Sequence, residues 1–93
     1  MNDAARTTLT IYRRPGCHLC DDAELLLRDE LAQRARAGLS PFDIEHVDIS
    51  ADPEREARYR RRIPVFAIGN VESELVTSGR QVREFLEQVA PSP

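Results

Sequence analysis

The alternation of apolar and polar positions divides the first half of the chain into four elements. Apolar residues at every second position between Thr8 and Tyr12 predict a strand. From Cys17 to about Ala37 the apolar residues recur at helical spacing, which predicts a helix. Residues Phe42 to Ile49 predict a second strand, and Asp52 followed by Pro53 is typical of the start of a short helix. The first half therefore predicts the order β-α-β-α.

The second half has the pattern of a hairpin followed by a helix. Ile63–Ile68 is a short apolar run, Gly69-Asn70 supplies turn residues, and Glu74–Thr77 predicts the partner strand. Between Val82 and Val89, apolar residues recur on one face of a predicted helix. The whole chain is thus predicted to be an α/β protein with the order β-α-β-α-β-β-α.

Composition limits the classes of partner and compartment. Neither a repeat nor a linker interrupts the 93 residues, so we expect a single domain over residues 1–93, with an ordered core of about residues 8–89. The net charge of −3 argues against a nucleic-acid partner. No apolar stretch approaches the ~18 residues of a membrane span, and no secretory signal follows Met1-Asn2-Asp3. These features predict a cytoplasmic protein without a membrane partner.

The two cysteines of the chain, Cys17 and Cys20, form a C-x-x-C motif where a predicted strand gives way to a helix. A helix N-terminus favours an anion, so it favours the thiolate form of a cysteine there, which is the form that attacks disulfides. Cys17 is therefore the predicted nucleophile. Cys20 lies one helical turn further in, is expected to be more shielded, and is the predicted resolving thiol. A reducing cytoplasm disfavours a permanent structural disulfide.

Taken with this motif, the order of elements resembles the thioredoxin fold, and more closely its glutaredoxin-like branch. The resemblance extends from Leu9 to Val89. Beyond the C-x-x-C it includes Val47–Ile49 ahead of a D-P-E turn, Pro64 at the start of the third strand, and Gly79 before the last helix. It implies a thioredoxin-like domain with a mixed four-stranded sheet flanked by helices, and a small thiol–disulfide oxidoreductase.

The resemblance and the chemistry of nearby arginines indicate which residues bind the substrate. The Ile63–Pro64 peptide bond is expected to be cis and to face the cysteines, with the Ile63 backbone pairing with the substrate like an added strand. Arg13 or Arg14 replaces a lysine that often precedes the motif, and Arg60 or Arg62 could reach a carboxylate of glutathione or of an acidic protein. Arg80, together with the helix N-terminus at Gly79, could clamp a carboxylate.

Two departures from the family pattern affect the expected substrate. The middle of the motif is His18-Leu19, where the best-known glutaredoxins have proline and tyrosine; a protonated His18 would stabilise the Cys17 thiolate and lower its pKa. Ser78–Gln81 stands where many glutaredoxins have a double glycine and an aspartate that hold glutathione. We expect no required cofactor and treat glutathione as a possible co-substrate. The expected partners are a disulfide-containing protein or a glutathione mixed disulfide, and a thiol reductant.

Other readings of the same residues stay open at this point. Cys17, His18, Cys20 and His46 are possible metal ligands, but a zinc site usually needs a second closely spaced pair. An iron–sulfur cluster shared between two chains is a further alternative, since some glutaredoxin relatives form one. A redox sensor or binding protein without turnover is another. His46 itself is expected to occupy a half-exposed strand position.

The arginine-rich run Arg58–Arg62 raises the possibility of phosphate binding. Glu54 and Glu56 stand four residues before Arg58 and Arg60, which is the spacing of ordinary ion pairs on a helix surface. We therefore expect a solvated helix face here.

Overall fold

A computed structural model describes residues 6–91, and what the sequence predicts for residues 1–5 and 92–93 lies outside it. The strands are β1 Thr7–Arg13, β2 Phe42–Asp48, β3 Val65–Ile68 and β4 Val71–Ser73, and the helices are α1 His18–Arg36, α2 Pro53–Tyr59 and α3 Gly79–Val89. A single 3₁₀ turn, Ile49–Ala51, precedes α2. The predicted order β-α-β-α-β-β-α is confirmed. Within residues 6–91, each helix is too short or too polar to cross a membrane.

The four strands form one mixed sheet in the order β2-β1-β3-β4. β1 runs parallel to β2, whereas β3 is antiparallel to both β1 and β4. Tyr12, near the end of β1, lies opposite Val65, the first residue of β3. The chain that follows β1 and the chain that precedes β3 therefore emerge at the same end of the sheet, which we call the motif end because the cysteines follow β1 there.

The two faces of the sheet are covered by different helices. On one face, Leu9 and Ile11 of β1 and Phe66 of β3 pack with buried residues of α1 and α3, which form the larger apolar cluster. On the other face, Tyr12 and Val65 pack with a smaller cluster of residues next to and within α2: Ile49, Tyr59 and Ile63. The alternation along β1 explains this division, because successive side chains of a strand point to opposite faces.

The predicted position of the last strand is wrong. The sequence pattern favoured Glu74–Thr77, but β4 is Val71–Ser73 and begins directly after the turn. Gly69 adopts a positive φ of 59°, so two residues are enough to reverse the chain, and Val71 pairs at once with Ile68. Leu75 has a φ of 51°, in the left-handed region, and the extended conformation ends before it.

Candidate active site

Cys17 and Cys20 lie at the start of α1 at the motif end of the sheet. Cys17 is the N-cap residue, with an extended backbone, and its Sγ accepts a hydrogen bond from the Cys20 backbone N–H at 3.1 Å. The two sulfur atoms are joined in a disulfide, with the Cα atoms 5.2 Å apart. Cys17 is partly exposed, whereas Cys20 has no exposed surface. The expectation that Cys20 is the more shielded thiol is therefore confirmed.

The turn before Cys17 explains why the helix begins there. Gly16 has a φ of 77°, a conformation that glycine adopts without a steric penalty. Cys17 then starts the helical hydrogen bonds, because its carbonyl accepts from the Asp21 N–H at 3.1 Å. Cys17 thus occupies the N-cap position, beside the N–H groups of the first turn that have no partner within the helix.

Pro64 lies at the same end of the sheet, directly before Val65. The Ile63–Pro64 peptide bond is cis, and the Pro64 side chain is buried. The Ile63 N–H donates to the Tyr59 carbonyl at 3.1 Å, so this donor is already used within the chain. An incoming strand would therefore have the Ile63 carbonyl, rather than its N–H, as a partner.

The segment after β4 is attached to the chain around Pro64. The Leu75 N–H donates to the Arg62 carbonyl at 2.8 Å, and the Val76 N–H donates to the Pro64 carbonyl at 3.1 Å. Val76 is fully buried, whereas the Leu75 side chain is 48% exposed. These bonds hold Leu75 beside the segment that leads into Pro64.

The Arg14 guanidinium is bound to a carboxylate of the protein. Arg14 Nη2 forms an ion pair with Glu56 Oε2, which links the turn before the cysteines to α2. The helix spacing predicted that Glu56 would pair with Arg60, and this is wrong: Glu56 binds Arg14, which is far away in sequence but adjacent across the motif end. The positive charge expected beside the motif is therefore largely balanced.

Arg62 belongs to a network that the sequence did not indicate. Its Nε donates to Glu74 Oε1 and its Nη2 to Glu72 Oε1, both at 3.0 Å. The Tyr59 hydroxyl donates to Glu72 Oε2 at 2.6 Å, and the Tyr59 ring stacks on Tyr12 with centroids 4.2 Å apart. Burial raises the pKa of Tyr59 to about 12, and its hydrogen bond to Glu72 adds to the effect. That bond also lowers the pKa of Glu72.

A second ionic network lies on the other side of the turn. Arg13 Nη2 donates to Asp21 Oδ1 at 2.5 Å, and Arg13 Nη1 lies 3.5 Å from Glu24 Oε1. His46 Nε2 is 2.8 Å from the same Glu24 oxygen, so this histidine has a partner that its strand position did not predict. Burial raises the pKa of Glu24, but hydrogen bonds from Arg28 and His46 outweigh it and hold that pKa below its usual range.

The loop leading into α3 is tied together by one side chain. Ser78 is the N-cap residue, and its Oγ accepts from the Gln81 N–H at 3.2 Å. Gln81 Oε1 accepts from the Thr77 N–H at 2.8 Å, while Gln81 Nε2 donates to the Leu75 carbonyl at 3.2 Å. The spacing S-x-x-Q, typical of a capping box, is the sequence signal that could have identified this role.

Gly79 and Arg80 open α3 but differ in their surroundings. A Cβ atom added at Gly79 would lie 3.8 Å from Glu30 Oε2. Gly79 therefore faces the middle of α1 and not the first turn of α1, where the cysteines lie. The Arg80 side chain is 83% exposed and lies 3.7 Å from Glu84 on the same helix. The predicted carboxylate clamp thus consists of a surface guanidinium beside the first turn of α3.

The two residues inside the C-x-x-C are exposed. His18 occupies the first helical position, and Leu19 keeps 53% of its surface exposed. Across residues 6–91, the histidine, cysteine and acidic side chains form no group of three or more that could hold a metal ion. The motif end therefore presents one partly exposed sulfur among a histidine and apolar and paired ionic side chains.

Comparison with known proteins places this site in a family context. The glutaredoxin-like domain family model matches residues 8–89. The structural-genomics target protein XcR50 from X. campestris is 31% identical, with a TM-score of 0.65, over 91% of this chain and 99% of that chain. Protein Ne2328 from Nitrosomonas europaea is 29% identical, with a TM-score of 0.57, over 81% of each chain. A glutaredoxin from Brucella melitensis is 26% identical, with a TM-score of 0.51, over 96% and 87%. No curated protein matches the chain.

Proposed function

We propose a function from one premise, which is that this chain belongs to the glutaredoxin-like domain family. The fold is the thioredoxin-like fold of that family, and the C-x-x-C pair supports a redox role. On this basis the protein is a small thiol–disulfide oxidoreductase, with Cys17 as the attacking thiol and Cys20 as the resolving thiol. A reducing compartment such as the cytoplasm would keep the pair reduced between turnovers.

The observation that carries the proposal is the unequal environment of the two sulfurs. Cys17 is partly exposed at the helix N-terminus, and Cys20 is buried one turn behind it. The Cys20 N–H that donates to Cys17 Sγ would also stabilise a negative charge on that sulfur after reduction. An external disulfide can therefore reach Cys17, whereas Cys20 can reach only a disulfide formed on Cys17.

The proposed reaction transfers two electrons from the dithiol to the substrate. The Cys17 thiolate attacks one sulfur of the substrate disulfide, and the other substrate sulfur leaves as a thiolate that is protonated by water. The Cys20 thiolate then attacks Cys17 Sγ, forms the Cys17–Cys20 disulfide and releases the second substrate thiol. An external thiol reductant, for which glutathione is one candidate, reopens the bridge and is itself oxidised.

Glutathione buffers of graded potential test this mechanism directly. Intact mass after acid quenching and alkylation should show the Cys17–Cys20 disulfide forming reversibly at a potential between roughly −120 and −270 mV, the range of known thiol oxidoreductases. The Cys20→Ser variant should accumulate a mixed disulfide with glutathione on Cys17, because the resolving thiol is gone.

The matched control is Cys17→Ser, which should take up little glutathione because Cys20 is buried. Equal adduct formation on both single variants would contradict the assignment of roles. If both thiols stay reduced at every potential, the dithiol mechanism is wrong.

A further inference from the structure

We propose that the substrate recognised at this site is an apolar polypeptide segment that carries a disulfide, rather than glutathione, and that Leu19 and Leu75 contact it. The inference rests on the proposed function and names its substrate class. It depends on two observations. Guanidiniums near the motif are paired with carboxylates of the protein, and these two leucines are exposed.

The two guanidiniums directly before the motif, which could hold a carboxylate of glutathione, are already paired. Arg13 contacts Asp21 and Glu24, and Arg14 is bound to Glu56. Releasing any of them for a ligand would break an existing ion pair, so the net gain in binding would be small.

The same holds for the arginine that precedes Pro64. Arg62 is shared between Glu72 and Glu74, both at 3.0 Å. Around α3, the Thr77 N–H and the Gln81 N–H, which could have bound a carboxylate, donate to Gln81 Oε1 and Ser78 Oγ instead. These donors are therefore used within the chain, and the loosely paired guanidinium on this side is that of the surface residue Arg80, which lies 3.7 Å from Glu84.

Apolar side chains are exposed where these charges are neutralised. Leu19 lies between the two cysteines and is 53% exposed, and Leu75 is 48% exposed. The Leu75 N–H donates to the Arg62 carbonyl, next to Ile63, which lies at the motif end of the sheet. Leu19 thus lies within the motif, and Leu75 lies at the same end of the sheet, on the segment that pairs with the chain before Pro64.

The backbone of Leu75 is also held in a conformation that is unfavourable for a residue with a large side chain. A φ of 51° lies in the left-handed region, which is less favourable for a leucine than the right-handed region. A glycine or asparagine would avoid most of this cost and would not expose an apolar side chain to water. Contact with an apolar partner gives a physical reason for a leucine at this position.

Three mixed disulfides with a common leaving thiol test the inference, with dithiothreitol as reductant. The first contains a cysteine flanked by leucine and phenylalanine, the second the same peptide with aspartate and serine at those positions, and the third glutathione. We expect kcat/KM on the apolar peptide to exceed that on the other two by about tenfold. The second peptide is acidic, so its rate also shows whether Arg60 and Arg61, which are exposed after the end of α2, contribute to substrate binding.

Leucine variants identify the contact. Leu19→Ser and Leu75→Asn should each lower kcat/KM on the apolar peptide by about fivefold, since each removes an apolar contact of ordinary size. The rate on a small symmetric disulfide, which has no apolar segment, reports the reactivity of the dithiol in each variant, and the loss on the apolar peptide is measured relative to that rate. Asparagine tolerates the left-handed conformation, so Leu75→Asn should fold. The control is Leu25→Ser, a leucine on α1 that is 68% exposed and lies outside the motif, which should have no effect.

The outcomes separate this inference from the function on which it rests. Equal rates on the three mixed disulfides, faster turnover of glutathione, or a rate on the apolar peptide that is unchanged relative to the small symmetric disulfide in both Leu19→Ser and Leu75→Asn would overturn the apolar substrate and leave the oxidoreductase intact. Failure to reduce any disulfide, including the small symmetric one, would overturn both.

Discussion

At the scale of single residues, Tyr59 connects the sheet to the segment before Pro64. Its ring stacks on Tyr12, and its hydroxyl donates to Glu72, which also binds Arg62. A hydrogen bond to a carboxylate is charge-assisted, and the partial burial of this one reduces the competition from water compared with an exposed ion pair. Tyr59 is therefore the residue of this network whose loss should be easiest to measure.

Replacing Tyr59 with phenylalanine should lower the free energy of unfolding at pH 7 by about 2 kcal/mol, since Glu72 loses a partner. Urea unfolding of Tyr59→Phe, Glu72→Gln and the double variant measures the coupling between the two groups. If the two single effects simply add, the hydroxyl and the carboxylate do not stabilise each other, and the network has been misread.

The pKa of Tyr59 predicts a pH dependence with a definite sign. The pKa is raised from 10.0 to about 12 in the folded protein, so the folded state retains a proton that the unfolded state loses. The contribution is complete below pH 10 and disappears as the pH rises toward 12. The free energy of unfolding should therefore decline across this window. Tyr59→Phe should show a shallower decline, and an equally steep one in the variant would assign the effect to other groups.

At the scale of elements, the start of α3 depends on the Ser78 cap and on Gln81. Ser78→Ala should lower the free energy of unfolding by about 1 kcal/mol, because the Gln81 N–H loses its acceptor. Ser78→Gly is the matched control and should cost only a few tenths of that amount, roughly 0.3 kcal/mol. Chemical denaturation of the two variants checks this, and alanine no worse than glycine would show that the cap contributes nothing.

The elements also show which parts of the fold the sequence could predict. Local periodicity was sufficient for β1, α1 and the order of all seven elements, since each pattern lies within one segment. It was insufficient for β4, because the run Glu74–Thr77 is apolar enough for a strand. Only the tight turn at Gly69 and the left-handed Leu75 show that pairing starts and ends earlier.

The site could be predicted in part for the same reason. The positions of Cys17 and Cys20 follow from one motif on one helix, so sequence spacing was enough to predict which thiol is shielded. The partners of Arg14 and Arg62 lie on other elements that meet only after folding. Helix spacing assigned Glu56 to Arg60, whereas the folded chain brings Glu56 to Arg14.

At the scale of the whole molecule, both redox states should be folded. The Cys17–Cys20 bridge closes a loop with a sequence separation of only 3, so it removes little entropy from the unfolded chain. The two apolar clusters that join the helices to the sheet contain neither cysteine. The disulfide is therefore not what keeps the molecule folded.

Reduction should accordingly lower the free energy of unfolding by no more than about 2 kcal/mol. Urea unfolding with and without dithiothreitol measures the difference, and the Cys17→Ser/Cys20→Ser double variant under both conditions controls for effects of the reductant. A reduced protein that is unfolded at 25 °C would contradict this view and would point to a structural bridge instead.

The outer strands of the sheet bear on how the protein would handle a polypeptide substrate of the kind proposed above. β2 forms one edge and carries Asp43, Glu45 and Asp48, all exposed, while β4 forms the other edge and is only three residues long. Charged and very short edge strands oppose the addition of a foreign strand. A polypeptide tethered at Cys17 would find neither edge suited to extending the sheet, so we expect the protein to release its reduced client without aggregating with it.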